Sequence, residues 1–305
     1  MPPLRSLAAL VVVALGAGSC YLACSAPPPP AVPPATSVVP PVPPSTAAAT
    51  PLAHVQILAI NDFHGNLEPP SGTNGVVLVA PDDPLAATPD ARTTDAGVTL
   101  IPAGGAAYLA THVAQLRSSN PATIVVSAGD LTGASPMVSN LYEDQPVILV
   151  MNRIGLDLEA VGNHDFDRGL TALRLLQQAG CASSGCDGGA YPGASFQYLA
   201  ANVVDDVTGR TVFSPYAIRD LGGARVAFIG ETLVQTPSVS KVGAVKGLSF
   251  EDEAATANAL VPELQRQGVS AIVLLLHQGG MQSLGGTYDG CQGFSGDIGA
   301  ILQKL

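Results

Sequence analysis

Four short β-branched runs in this 305-residue chain each lead into residues that can bind a metal ion. Val55 to Ile60 leads into Asn61-Asp62-Phe63-His64-Gly65-Asn66, and Ile124 to Ser127 into Ala128-Gly129-Asp130. Leu158 to Val161 leads into Gly162-Asn163-His164-Asp165, and Ala271 to Leu276 into His277. Three of the five histidines fall at these ends, whereas His54 and His112 do not and read as ordinary structural residues. Imidazole nitrogens together with carboxylate and amide oxygens suit a pair of hard or borderline divalent cations. Sites in open α/β sheets form in the crevice outside the carboxyl ends of the strands, so four such ends can converge on one place.

Each motif has a plainer reading when taken singly. Asp-x-His after a strand is often a polar turn, Gly-Asp is a common turn dipeptide, and Asn-His-Asp could cap a helix over Arg168 to Ala179. Recurrence at four successive strand ends is what favours a metal centre. Rival chemistries lack their marks: there is no Gly-x-Ser-x-Gly elbow for a serine hydrolase and no Gly-x-x-x-x-Gly-Lys loop for a nucleotide triphosphatase.

The elements that must hold these residues alternate. Strands are expected at the four runs above, at Tyr198 to Val203 and at Arg225 to Ile229. Between them, Leu109, Val113 and Leu116 share a helical face, as do Leu170, Leu173 and Ala179, and Ala257, Leu260, Val261 and Leu264. Ser249 with Asp252 three residues later would cap the last of these helices, and Gly268 would stop it. The alternation indicates an α/β domain with a largely parallel sheet. Glu68 to Pro102, rich in Pro, Gly, Asp and Thr, reads as loop with at most one short strand. The double glycines beginning at Gly104, Gly222, Gly279 and Gly285 read as helix starts and turns.

Residues 1–24 read as an export signal, with one positive charge at Arg5, an apolar run from Leu7 to Leu15, and small residues before Cys20. The run is too short to span a bilayer, which takes about 20 apolar residues. Cys20 or Cys24 could carry a lipid and tether the protein to a membrane, with simple secretion as the alternative. Residues 25–51 are a Pro-rich linker without charge, suited to an extended polyproline spacer. The remainder, 52–305, is the globular part. The whole chain's formal charge of −11 and its lack of a basic run argue against binding a nucleic-acid polymer. Cys181 and Cys186 could close a short disulfide; a zinc knuckle is the alternative, and Cys291 has no obvious partner.

The segments Asn61 to Asn66, Gly129-Asp130, Gly162 to Asp167 and His277 resemble the calcineurin-like metallophosphoesterases, specifically their exported 5'-nucleotidase family. The resemblance runs from Val55 to the C-terminus and implies a four-layer α/β/β/α sandwich followed by a separate substrate domain. Carried over by motif, it implies that Asp62 and His64 hold one metal, that Asp130 bridges two, and that Asn163 and His277 hold the second. His164 would stabilise the transition state and assist the leaving group, with Asp167 orienting it. For Asp167, a charge placed to complement a helix dipole is the alternative. Two cations ~3.5 to 4 Å apart generate a nucleophile from water and neutralise charge on the phosphoryl oxygens. Zn, Mn, Mg and Ca are not distinguishable from these donors.

The family also draws ligands from a later Gly-His-x-His segment that the sequence does not contain, so residues 52–305 read as an incomplete catalytic domain. Asp297 to Leu305 reads as a helix in mid-course. The expected activity is hydrolysis of phosphate esters, 5'-nucleotides or cyclic nucleotides, outside the cytoplasm: periplasmic, cell-surface or membrane-anchored. Alternatives are a related exported esterase acting on sugar nucleotides, thioesters of sulfur carriers or other phosphodiesters, and a non-catalytic metal-binding surface module.

Overall fold

The computed structural model describes residues 10–14, 53–71, 75–79, 84–89, 91–94, 99–179, 191–282 and 294–305. All five cysteines and the Pro-rich linker lie outside them, and with them the disulfide, zinc-knuckle and lipid readings.

Two four-stranded sheets form the centre. In the first, β2 (Gln56–Ile60), β6 (Thr123–Ser127), β7 (Leu158–Ala160) and β8 (Gln197–Leu199) are adjacent in that order and all parallel. In the second, β13 (Ala271–His277) lies parallel to β11 (Ala224–Thr232), which pairs antiparallel with β10 (Tyr216–Leu221) through the Gly222-Gly223 turn. The backbone of Leu10–Ala14, β1, within the stretch read as an export signal, lies parallel along the other edge of β13.

Alternation along each strand assigns every second side chain to one of two cores. Ile124, Val126, Leu158, Ala160, Val226, Phe228, Val273 and Leu275 meet between the sheets. Their alternates on β11 and β13, Ala227, Ile229, Ile272, Leu274 and Leu276, pack under α6 (Glu253–Arg266) and α7 (Asp297–Leu302). On the outer face of the first sheet, Val125 and Tyr198 pack with residues of α1 (Ala106–Ser119), α3 (Gln145–Ile154) and α4 (Leu170–Gln177). Helices thus cover both outer faces. The expected four-layer α/β/β/α sandwich is the observed fold, and the clean two-residue period is its cause.

Several expectations are corrected. Tyr198 to Val203 is not one strand: β8 ends at Leu199, and β9 (Val203–Asp205) belongs to a separate two-stranded sheet with β12 (Leu248–Phe250). The break falls at buried Asn202, whose amide spans the Thr232 backbone and the Glu251 carbonyl instead of continuing the first sheet. Among its described residues the Glu68 to Pro102 stretch holds three strands, β3 (Val76–Val79), β4 (Arg92–Thr93) and β5 (Thr99–Pro102), paired antiparallel around β5.

Asp252, not Ser249, caps α6, accepting the Ala255 N–H at 2.9 Å, while the Ser249 hydroxyl bonds Asp206 from β12. Asn163 to Asp165 caps no long helix; His164–Phe166 form a 3-10 turn, and α4 starts after Gly169. Ala179 lies past the end of α4, and Leu116 is 41% exposed and off the buried face of α1. The remaining short elements among the described residues are a 3-10 turn at Pro84–Ala87, α2 (Met137–Asn140), α5 (Thr236–Val239), β14 (Met281–Gln282) and β15 (Phe294–Ser295). Among the described residues no helix is long and apolar enough to cross a membrane.

Candidate metal centre

Strands β2, β6, β7 and β13 present their carboxyl ends on the same side of the two sheets, and the backbone leaves regular geometry as soon as each of the first two ends. Asp62 (φ 48°), His64 (φ 46°) and Asp130 (φ 54°) are all left-handed, a conformation costing roughly 1–3 kcal/mol for a non-glycine residue unless its surroundings hold it. The loops hold one another: the Asp62 N–H donates to Gly129 O at 2.9 Å, and the His64 N–H to Asp130 O at 3.0 Å. Two glycines make room. A Cβ on Gly129 (φ 111°) would lie 2.4 Å from His277 Nδ1, and one on Gly162 would lie 2.1 Å from Asp130 Oδ1.

Donor atoms of Asp62, Asp130 and His277 all lie within 4.8 Å of one another. His277 Nδ1 donates to Ala128 O at 2.9 Å, and His64 Nδ1 to Gly133 O at 2.9 Å. Both rings therefore turn Nε2 toward the carboxylates, the arrangement that second-sphere carbonyls impose on metal-binding histidines. His277 Nε2 lies 3.0 Å from Asn163 Oδ1 and 3.2 Å from Asp130 Oδ2; His64 Nε2 lies 3.6 Å from Asp130 Oδ2 and 3.7 Å from Asp62 Oδ1. With the ring protons committed to the carbonyls, each Nε2 lone pair faces oxygen lone pairs. Only a positive charge between them, a proton or a metal cation, reconciles that geometry. The residues present fit a divalent cation on this ground.

The titration behaviour has the same origin. Burial opposes a charge on His64 and on His277, but Asp62 accepting from protonated His64, Asp130 accepting from protonated His277, the backbone carbonyls and the nearby carboxylate charges outweigh it, lifting both to about 9. Asp130 moves the opposite way. Burial would raise it, but His277, His64 and the His164 N–H, which donates to Oδ1 at 2.8 Å, hold it below its usual range.

His164 stands apart from this donor set. Its Nδ1 lies 2.9 Å from Asp167 Oδ2, leaving Nε2 without that partner, and its ring meets that of His64 edge-on with centroids 5.2 Å apart. Asp167 also accepts the Ala134 N–H at 3.3 Å. The structure thus brings together all seven residues singled out from the sequence: Asp62, His64, Asp130, Asn163, His277, His164 and Asp167. His54 and His112 are exposed and remote from them in the sheet plan.

Sequence reasoning gave Asp165 no role. It is buried and gathers four bonds: from the Asp130 N–H (3.0 Å), the Thr132 N–H (2.9 Å) and hydroxyl (2.8 Å), and the Gly162 N–H (2.8 Å). One carboxylate therefore ties the loop after β6 to the loop after β7. Burial, followed by the Asp130 charge, lifts its pKa to about 6 despite those bonds. The available signal was its place in Gly162-Asn163-His164-Asp165, one residue after a side chain committed elsewhere.

No family model matches the chain. A protein of Acinetobacter calcoaceticus described only as an uncharacterised protein in the pqq-V 5' region is 43% identical over 175 residues, covering 55% of this chain and 79% of that one. The 5'-nucleotidase of Bos taurus is 32% identical over 184 residues, covering 58% of this chain and 29% of its own length. Among solved structures, the Haemophilus influenzae NAD nucleotidase superposes with a TM-score of 0.55 at 27% identity, covering 73% of this chain and 34% of that chain. The chain thus spans about a third or less of these two named nucleotidases.

Proposed function

Since the chain belongs to the 5'-nucleotidase family of calcineurin-like phosphoesterases and corresponds to its N-terminal domain, we propose that it is the metal-binding part of a hydrolase acting on 5'-nucleotides or cyclic nucleotides. The observation that carries this reading is the convergence of Asp62, Asp130 and His277 within 4.8 Å beside the His164–Asp167 pair. Asp62 and His64 would hold one divalent cation, and Asp130, Asn163 and His277 are the residues this chain would offer to a second. When bound, such a pair supplies a nucleophile derived from water and neutralises charge on the phosphoryl oxygens.

The chain's own residues do the rest. Asp167 accepts from His164 Nδ1 and orients the ring, whose Nε2 would serve the developing charge and the leaving oxygen. The Gly133 and Ala128 carbonyls fix the two ligand rings. An export signal in residues 1–24 places the activity outside the cytoplasm, and a following substrate domain selects the nucleoside; the greater length of the named relatives supports the latter.

The test is hydrolysis of adenosine 5'-monophosphate, with Mn²⁺ supplied, by the longest natural form of the protein. Asp130→Ala and His164→Ala are each expected to lower kcat at least ~100-fold, the loss typical of removing a general acid or a charge-stabilising donor. Wild-type rates in either variant would sink the reading.

A further inference from the structure

Arg168 follows Asp167 directly, and the proposed chemistry leaves it unused. Its Nη2 donates to the Asn140 backbone oxygen at 2.9 Å and to the Asn140 side-chain oxygen, and its Nε lies 3.7 Å from Asp144 Oδ2. Asn140 ends α2 and Asp144 precedes α3, so one guanidinium spans the turn between those helices. That turn is strained. Glu143 (φ 55°) and Asp144 (φ 64°) are both left-handed, a conformation that persists in non-glycine residues only where surrounding groups over-determine it. Asp144 is buried with Oδ1 unpaired, and its side chain makes no bond to the start of α3.

Folding alone is a weak reason for this clamp. The Arg168 side chain is 35% exposed, and ion pairs at such exposure contribute little net stability. On the buried side, apolar residues of similar volume often replace a charged pair without loss.

A better reason is what the clamp joins. On one side, Arg168 continues the 3-10 turn His164–Phe166, after Asp167 has accepted from His164 Nδ1 at 2.9 Å and from the Ala134 N–H at a longer 3.3 Å. On the other side, α2 is fastened to the loop that bears His64: the Ser139 hydroxyl donates to Gly65 O at 2.6 Å, and a Cβ on Gly65 would lie 2.9 Å from Ser139 Cβ. Arg168 thus closes a path from His164 through α2 to His64, and the two imidazole rings meet with centroids 5.2 Å apart. We propose that Arg168 is a positioning residue: by clamping the α2–α3 turn it fixes the His164–Asp167 pair relative to the His64 side of the metal centre. The inference rests on the reading of His164 as the group that serves the leaving oxygen, and adds to it a residue that does not touch the substrate.

The experiment uses the full-length protein saturated with Mn²⁺ and compares turnover of adenosine 5'-monophosphate with that of its analogue in which sulfur replaces the bridging 5'-oxygen. Breaking the P–O bond leaves an alkoxide that must take up a proton, whereas breaking the P–S bond leaves a thiolate, a stable anion that needs none. Arg168→Met should lower kcat on the oxygen ester ~10-fold and on the sulfur analogue by less than about threefold, because a displaced acid costs rate only where the acid is used. Mn²⁺ affinity by isothermal titration should stay within about threefold of wild type. The double variant Asp144→Asn/Arg168→Met removes the buried charge together with its partner, which guards against simple unfolding, and should show the same pattern. Wild-type turnover of the oxygen ester in either variant, equal losses on the two substrates, or loss of Mn²⁺ affinity would each overturn the proposal. Unfolding of both variants would assign Arg168 to folding and overturn it as well. His164→Ala, run alongside, reports separately on the underlying reading: it should show the same substrate preference more strongly, and equal losses there would remove that reading and the proposal with it.

Discussion

The two sheets reach the metal centre by different means. Strand ends of the first sheet deliver Asp62, His64, Asp130, Asn163, His164 and Asp167 on loops, three of them in left-handed conformation, with the loops after β6 and β7 tied together by buried Asp165. The second sheet delivers His277 alone, as the last residue of a regular strand. Each sheet also buries a glutamate whose two oxygens are unpaired, Glu159 on β7 and Glu231 on β11. Glu159 is in register with Ser127 and Tyr198 of the first sheet; Glu231 lies near α6, where burial and then the charges of Glu253 and Asp252 raise its pKa to about 9. Irregular backbone costs free energy and persists only where surrounding groups over-determine it. In this molecule that expenditure is concentrated at the ligand loops of the first sheet.

The largest expected effect comes from releasing those loops. Asp165→Ala leaves the N–H groups of Asp130, Thr132 and Gly162 without their acceptor, and orphaned buried donors cost about 1–3 kcal/mol each. Denaturant unfolding should show a loss of about 3 kcal/mol. A loss below about 0.5 kcal/mol, the range of ordinary surface changes, would show that the loops do not depend on that carboxylate.

A smaller effect, of opposite sign for two observables, is expected from pH. In the metal-free chain His64 and His277 keep their protons up to about pH 9, above the ordinary histidine value of 6.5. Their contribution to stability is therefore complete below about pH 6.5 and disappears as pH rises through about 9. Metal binding displaces those protons, so Mn²⁺ affinity should instead rise across the same interval with measurable proton release. Affinity that is flat between pH 6.5 and 9 would contradict the assignment of both rings as ligands.

The smallest effect is expected at the buried glutamate of the second sheet. Glu231→Met removes a neutral buried carboxyl from the second sheet and should change stability by no more than about 1 kcal/mol, in the stabilising direction. Mn²⁺ affinity should not change. A variant that binds Mn²⁺ measurably more weakly would erase the distinction between the sheets.

The strands bearing the site were legible because each is a β-branched run that stops abruptly at His, Asp or Asn, and a buried parallel strand followed by ligands leaves that trace. Asp165, Glu159 and Glu231 were not. An acid alternating with apolar residues, as in Leu158-Glu159-Ala160, ordinarily marks a solvent-facing position, and only the helices over the outer faces bury it. The helix Gln145–Ile154 escaped notice because it follows left-handed Glu143 and Asp144 and has a proline in its first turn, without a capping side chain. The break after β8 depends on Asn202 meeting Thr232 and Glu251, contacts 30 and 49 residues away.

The central claim is that these strand ends form a metal centre organised by Asp130. Isothermal titration of Mn²⁺ into the purified chain at pH 8 tests it most directly when wild type and Asp130→Ala are run side by side. Saturable binding with proton release in the wild type, weakened at least ~100-fold in the variant, is the predicted result, since losing a bridging ligand must exceed the 10- to 100-fold loss of a supporting group. Equal binding by the two proteins would contradict it.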